Sequence, residues 1–285
     1  MTARSTDEAI NAYKESKRIF NDLGMNLRQF LSNDQETMRQ ITQDDWASST
    51  QQKVLGVTWH SKEDRIILSC KYPTKPKITK RSIAEQVAAI YDPMGWLTPL
   101  TLRGKLFFQD LWNFGYKWDT PLSKEHTDKW KKIVEDLNEF ETYIPRRVSQ
   151  IGIPSHLILF ADASKRCMAT CAYLISNNES HLLTGKSKLP SIKTNPTIPK
   201  LELNALTMVT RLAHSICTAL RHHTAINQII ILSDSEIALS WIRSNKIENT
   251  RGTLVKNHNR RPWNTNQIWL RSHGSKRSGL CHQRT

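Results

Sequence analysis

The sequence predicts an α/β fold with a mixed sheet in its second half, preceded by a mainly helical region that contains a short strand pair. In the second half, three successive strand-like apolar runs precede a long helical stretch, a fourth strand and another helix. In the first half, apolar residues recur at helical spacing over several segments. The pattern changes near residues 145–154, which indicates a domain boundary there.

The first region is predicted to begin with an amphipathic helix over residues 6–23, because the apolar residues fall on one broad face. A short second helix is expected at 27–31, followed by a polar loop over 35–51. Residues 53–59 and 64–70 have the composition of two strands joined by a turn.

Three helices and then the elements of the mixed sheet follow along the chain. The predicted helices of the first region begin at residue 79 or 80, at 98 and at 123, and they end at 91, 112 and 139. In the second region the strands are expected at 156–161, 167–176, 180–187 and 226–233, and the helices at 199–221 and 235–244.

The composition favours an intracellular protein with a nucleic-acid partner. The 285 residues carry a formal net charge of +15, although eight of the lysines and arginines lie in residues 251–285, which contain no acidic residue. No run of about 20 apolar residues occurs, so no membrane span is expected. The five scattered cysteines suggest reduced thiols and no disulfide framework.

Three carboxylates in the second region have the setting of a metal site. Asp162 and Asp234 each end an apolar run, and Glu202 lies near the start of the long helix. A carboxylate at the end of a buried strand can project into a cleft at the sheet edge, and Mg²⁺ prefers such hard oxygen ligands. Two such ions about 4 Å apart can drive hydrolysis of a phosphodiester. Taken singly, each acidic residue is equally well explained as a helix cap or turn former.

The motifs around these carboxylates resemble those of the ribonuclease H superfamily. The matching segments are Phe160-Ala-Asp-Ala-Ser164, Leu201-Glu-Leu203 and Leu232-Ser-Asp-Ser235. Upstream, Ile90-Tyr-Asp-Pro-Met-Gly-Trp-Leu-Thr-Pro99 is similar to the signature of Pao/BEL-type LTR retrotransposon polyproteins, a family labelled Pao retrotransposon peptidase. Lys53-Val-Leu-Gly-Val-Thr-Trp59 resembles the strand that closes the palm of their reverse transcriptases.

The resemblance, which covers about residues 5–257, implies a Pol fragment with three parts. Residues 1–150 would be the end of the reverse-transcriptase palm with a thumb or connection region, 151–257 an incomplete ribonuclease H-like domain, and 258–285 an atypical basic tail. The implied partners are an RNA–DNA hybrid and other Pol segments. The implied setting is the cytoplasm, within a particle in an intact element.

The same resemblance implies roles for individual residues. Asp162 would bridge two Mg²⁺ or Mn²⁺ ions, and Glu202 and Asp234 would each hold one. Ser164, Lys200 and Asn204 would touch the nucleic acid, and the alternative for each is a solvated or structural role.

Two departures from the family pattern limit the expected activity. No Tyr-x-Asp-Asp-like hairpin precedes Lys53, so no polymerase activity is expected. No acidic residue follows His258 to supply a fourth carboxylate, which a shifted reading frame over 261–281 would explain. A weakened or inactive nuclease is therefore expected. The alternatives are a binding module or a relic, and an aspartic peptidase is less favoured because Asp162 and Asp234 lack the glycine of its active-site loop.

Two further clusters each have two interpretations. The aromatic residues are either a helical core, which is favoured, or a surface that stacks on nucleic acid. The basic residues in and beside the predicted extended linker at 71–78 are either solvated or contact phosphates. The aromatic residues are Trp96, Phe107, Phe108, Trp112, Phe114, Tyr116 and Trp118, and the basic residues are Lys75, Lys77, Lys80 and Arg81.

Overall fold

The computed structural model describes residues 3–149, 152–243 and 268–272. The chain divides into a small unit, Met1–Lys71 with Asn138–Arg147, and a large unit, Tyr72–Leu137 with Val148–Thr285. The three helices of the first region thus belong to the compact unit that contains the large sheet, whereas the sequence-based assignment groups them with the N-terminal region. The assignment of functional domains to 1–150, 151–257 and 258–285 stays a prediction.

The small unit combines helices with a four-stranded antiparallel sheet, so the expected strand pair is only part of it. Ser5 caps helix α1 by accepting a hydrogen bond from the Glu8 N–H at 3.2 Å. The elements are α1 (Thr6–Asp22), α2 (Gln35–Gln40), a 3₁₀ turn (Gln43–Asp45) and strands β1 (Gln51–Val54), β2 (Val57–His60), β3 (Arg65–Ser69) and β4 (Glu141–Pro145), paired in chain order.

Three sequence predictions in the small unit are wrong. No helix forms at 27–31. The polar stretch 35–51 was expected to be a loop, but Asp34 caps α2 by accepting hydrogen bonds from the Thr37 N–H at 2.9 Å and the Thr37 hydroxyl at 2.5 Å. Capping therefore outweighs the lack of an apolar face there.

The strand expected at 53–59 is a hairpin instead. Val54 pairs with Val57, and the two residues between them have positive φ, 51° at Leu55 and 82° at Gly56. A two-residue turn of this kind matches the twist of antiparallel strands. The continuous run of apolar residues concealed the turn.

In the large unit three helices pack around one fully buried indole, Trp130. The Phe107 ring stacks on it with centroids 5.5 Å apart, and the Trp130 Nε1–H donates to the Gln86 Oε1 at 3.0 Å. The helices are α3 (Lys80–Ala89), α4 (Thr98–Asn113) and α5 (Lys124–Asn138), as predicted to within a few residues.

The large sheet has five strands in the order β7-β6-β5-β8-β9. Strand β6 is antiparallel to both β5 and β7, whereas β5, β8 and β9 run parallel to one another. The predicted α/β class with a mixed sheet is confirmed. The elements are β5 (Ser155–Ala163), β6 (Met168–Ser176), β7 (Glu179–Lys188), α6 (Ile198–Leu220), β8 (Ile226–Ser233), α7 (Glu236–Arg243) and β9 (Ile268–Ser272).

Five residues of the basic tail form the last strand of this sheet. Strand β9 pairs with β8 from Ile229↔Ile268 to Ser233↔Ser272. The remaining tail residues lie outside the described residues, and the shifted reading frame stays a prediction.

The core of the large sheet lies on the face covered by α6. Odd-numbered residues of β5 and β8, such as Leu157, Leu159 and Ile231, are buried against α6 residues that include Leu206 and Val209. Alternate residues of a strand point to opposite faces, so the even-numbered residues occupy the other face. Each buried leucine stabilises the fold by roughly 1.5–3 kcal/mol.

The segment 90–99, which carries the family signature, docks on β7. The carbonyl oxygen of Met94 accepts hydrogen bonds from the Gly185 N–H at 2.9 Å and the Thr184 hydroxyl at 2.6 Å. The Trp96 Nε1–H donates to the Leu183 oxygen at 3.0 Å. The segment thereby joins α3 and α4 to the sheet and covers backbone groups of an edge strand, which protects that edge from pairing with another chain.

Candidate functional site

Two of the three candidate carboxylates stand at the ends of neighbouring parallel strands. The last paired residues of β5 and β8 are Phe160 and Leu232. Asp162 follows Phe160 by two residues and still lies within β5. Asp234 follows Leu232 by two residues and lies directly after β8. Neighbouring strands lie about 4.8 Å apart, so both aspartates occupy the same edge of the sheet, as the sequence predicts.

Asp162 is exposed to solvent at this edge. Its Oδ1 accepts a hydrogen bond from the N–H of Ala163 at 2.6 Å. Its neighbour Ala161 is buried in the core against α6. By strand alternation the Asp162 side chain therefore starts from the opposite face of the sheet.

Glu202 is half-buried near the start of α6 and contacts the chain just beyond Asp234. Its Oε2 accepts a hydrogen bond from the Ser235 hydroxyl at 2.5 Å. The same hydroxyl accepts from the Ala238 N–H at 3.1 Å, so Ser235 also caps α7. Sequence reasoning missed this role of Ser235, although a serine directly before a helical run is a recognisable cap signal.

The three carboxylates share one edge of the sheet but do not form a preformed metal site. Within the ranges that the structure describes, no group of three His, Cys, Asp or Glu residues could hold a metal ion. The donors fit Mg²⁺ or Mn²⁺ by chemistry, because all are hard carboxylate oxygens. The assignment of Asp162, Glu202 and Asp234 as metal ligands stays a prediction.

The three candidate nucleic-acid contacts differ in their surroundings. The Ser164 hydroxyl accepts hydrogen bonds from the N–H groups of Arg166 at 3.2 Å and Cys167 at 3.1 Å. It thus closes the β5–β6 turn, which supports the structural alternative for this residue. Lys200 is exposed in the first turn of α6, and Asn204 is half-buried one turn later. Their contact with a substrate stays a prediction.

A polar pocket of about 420 Å³ adjoins the β5–β6 turn and the start of α6. Its walls come from α4, this turn and the loop before α6, and they include Lys165 and Asn195. Arg166 of the turn forms an ion pair with Asp110 of α4 at 2.8 Å. Sequence reasoning could not find this pocket, because its walls come from segments far apart in the chain.

The described cysteines are buried or half-buried. The four that the structure describes are free thiols. Burial raises the pKa of Cys167 and Cys171, and raises that of Cys217 to about 11. Such thiols stay protonated near neutral pH, and a protonated thiol is a poor nucleophile and metal ligand. Cys167 is buried in the turn before β6, and Cys171 is half-buried on β6.

Solved structures with some similarity come from foamy virus. One is the foamy viral protease-reverse transcriptase in complex with dsDNA, with 14% identity and a TM-score of 0.43 over 82% of this chain and 47% of that chain. Another is that protein in complex with RNA/DNA hybrid, with 12% identity and a TM-score of 0.44 over 84% of this chain and 32% of that chain. The chain spans less than half the length of each. At this level of similarity neither comparison carries a functional conclusion.

Comparison with protein families gives a clearer result, although no curated protein matches the chain. The model of the Pao retrotransposon-like RNaseH-like domain matches residues 79–235, more than half of the chain. The matched span runs from the cap of α3 through the docking segment 90–99 to Ser235, and it contains all three candidate carboxylates. The chain therefore belongs to the Pao retrotransposon-like RNaseH-like domain family.

Proposed function

We propose that the large unit binds RNA–DNA hybrids and hydrolyses the RNA strand with Mg²⁺ or Mn²⁺ held by Asp162, Glu202 and Asp234. The observation that carries this proposal is the register of β5 and β8, which puts both aspartates at one sheet edge. The contact of Glu202 with Ser235 brings the third carboxylate to that edge. The family, an RNaseH-like domain, supports the same conclusion.

The residues at this edge have different tasks in the proposed reaction. Asp162 and Asp234 are exposed, so their carboxylates are accessible to a cation from solution. Ser235 orients Glu202 through its hydroxyl. Bound divalent ions would supply an activated water and stabilise the leaving oxygen. The 2′-hydroxyls of the hybrid would distinguish the RNA strand from the DNA strand.

A second candidate function is binding of the hybrid without cleavage. One observation favours it: the described residues contain no group of three His, Cys, Asp or Glu residues that could hold a metal ion. The net charge of +15 would support binding that weakens as salt rises. An intracellular setting and other Pol segments as partners are part of both proposals. No helix among the described residues is long and apolar enough to cross a membrane.

Cleavage of a labelled RNA strand distinguishes the two functions. Purified protein is incubated with an RNA–DNA hybrid, single-stranded RNA or duplex DNA, in Mg²⁺, in Mn²⁺ or with a chelator. A nuclease cleaves only the hybrid, requires the metal, and loses about 100-fold or more of its rate in Asp162→Asn, Glu202→Gln or Asp234→Asn, because these groups act as a unit.

Glu179→Gln is the matched control variant. Glu179 begins β7, which runs parallel to β5, so it lies at the opposite end of the sheet from Asp162. This variant is expected to keep the rate of the unmodified chain. Salt-sensitive hybrid binding without cleavage would support the second function in place of the first. If a folded chain neither binds nor cleaves the hybrid, both are overturned.

A further inference from the structure

Three aromatic side chains near the end of α4 are unexpectedly exposed. The exposed fractions are 49% for Trp112, 52% for Phe114 and 42% for Trp118, and we call the two indoles, whose rings contact each other, the aromatic patch. The core interpretation is wrong for them and confirmed for Phe107, which is 2% exposed. An exposed group of large rings is typical of an interaction surface.

A buried lysine holds the two indoles of the patch in place. The Lys80 ammonium lies 3.2 Å from the centroid of the Trp112 ring and 5.4 Å from that of Trp118. The ammonium donates a hydrogen bond to the backbone carbonyl oxygen of Tyr116 at 3.2 Å, and burial lowers the pKa of Lys80. The indoles meet edge to face with centroids 5.6 Å apart. Lys80 is 3% exposed, so neither the solvated position nor the phosphate contact fits it, and its cation–π contacts orient the rings.

Backbone contacts place further cations beside the patch. Thr79 bridges to Pro121, and the Arg81 N–H donates to the Trp118 oxygen at 3.0 Å. These contacts bring the start of α3 against the loop that carries Trp118. The exposed side chains of Lys77, Lys117 and Lys124 flank this junction.

The charge of this surface is mainly positive. The Arg81 guanidinium pairs with Asp119 at 2.6 Å, which neutralises the nearest carboxylate. Glu125, in the first turn of α5, is another acidic residue near this surface. Within the described part of the chain, none of the three lysines forms a salt bridge. A negatively charged polymer therefore complements this surface better than an uncharged apolar partner does.

We propose that the aromatic patch binds single-stranded nucleic acid. Unpaired bases expose flat π-faces that stack on Trp112 and Trp118, while the phosphates between them lie near Lys77, Lys117 and Lys124. Paired bases in a duplex are stacked on each other and do not offer these faces. The surface uses other residues than Asp162, Glu202 and Asp234, so the inference goes beyond the proposed function and does not depend on hybrid cleavage.

Fluorescence anisotropy of short labelled oligonucleotides tests this surface. The full chain carries Asp162→Asn in every sample to prevent cleavage, and single-stranded DNA, single-stranded RNA and duplex DNA are titrated separately. Trp112→Ala and Trp118→Ala are each expected to weaken single-strand binding about 10-fold. Lys117→Ala is expected to reduce the slope of log affinity against log salt by about 0.7.

Two control variants separate stacking from folding. Trp118→Phe keeps an aromatic ring and is expected to retain most of the affinity that Trp118→Ala loses. Tyr143→Ala removes a ring that is 50% exposed in the small unit and is expected to bind like the parent. Unchanged single-strand affinity in both tryptophan-to-alanine variants would overturn the proposal. So would equal losses for Trp118→Ala and Trp118→Phe, or a preference for duplex DNA.

Discussion

Replacing Gly95 with alanine tests the docking of segment 90–99 on β7. A Cβ at Gly95 would lie 1.8 Å from the oxygen and 2.7 Å from the carbonyl carbon of Gly185. Both are backbone atoms of a strand in the middle of its ladder, so neither can rotate away as a side chain would. The segment or the strand must move, and the hydrogen bonds to the Met94 oxygen must lengthen.

The expected loss of stability has two parts. Gly95 has a φ of +71°, and an alanine in this left-handed region costs about 1–2 kcal/mol. Forcing an extra carbon into a filled contact costs about 1–3 kcal/mol more. Gly115 separates the two parts, because it has the same φ of +71° and no atom within 4 Å of its Cβ position. Gly115→Ala should therefore lose only the first part.

Urea unfolding measured by tryptophan fluorescence gives the free energy of unfolding of each variant. We expect Gly95→Ala to be less stable than Gly115→Ala by about 1–3 kcal/mol. The same difference should lower the melting temperature by about 2–4 °C per kcal/mol in a unit of this size. If the two variants lost the same stability to within about 0.5 kcal/mol, the steric reasoning would be refuted. A difference of that size is no larger than the usual effect of a surface substitution.

Three other predictions concern a helix cap, a buried thiol and an ion pair. Ser235→Ala removes the cap of α7 and should lower the free energy of unfolding by about 1 kcal/mol, as measured by urea unfolding. In a Cys281→Ser background, Cys217 should react with a thiol reagent at mildly alkaline pH only after unfolding, because burial raises its pKa to about 11. The hydrogen bond from Lys17 lowers the pKa of Asp45 from 3.8, so its stabilisation is complete above that pH and is lost as pH falls through the lower folded pKa. Asp45→Asn should therefore destabilise the protein at neutral pH and by a shrinking margin below pH 3.8, as measured by urea unfolding at each pH.

Each of these predictions has a control or a contradicting result. Ser240→Ala, at an exposed position of α7, should change stability by less than about 0.5 kcal/mol. Rapid labelling of Cys217 in the folded chain would contradict its burial. The ion pair would be contradicted if the difference in free energy of unfolding between Asp45→Asn and the parent stayed constant with pH. Asp44→Asn, at the exposed neighbouring position, serves as its control.

The elements that the sequence predicted well are those with a clear apolar period. Strands β5, β6 and β8 alternate in burial, and α6 buries residues at helical spacing. Such patterns can be recognised in a short stretch of sequence, because a helix or strand with one buried face has apolar residues at a fixed spacing. The missed elements lack this signal: α2 depends on the Asp34 cap, and the hairpin depends on two residues with positive φ.

The sequence predicted only the part of the site that depends on where strands end, which is the position of the two aspartates. The end of an apolar run locates an aspartate, and parallel pairing then puts Asp162 and Asp234 at one edge. The sequence did not reveal that Ser235 holds Glu202, or that an alternating strand directs Asp162 away from the α6 face. Those features depend on which residues face each other after folding.

The sequence by itself determined the α/β class, the order of the sheet elements and the residue types at the sheet edge, because all three follow from local patterns of apolar and acidic residues. Only the tertiary structure decided that Gly95 meets Gly185, that Lys80 lies under Trp112, and that the carboxylates share an edge without forming a closed cluster. Contacts of this kind join segments far apart in the chain. Their distances depend on packing of the whole unit, which no local pattern encodes.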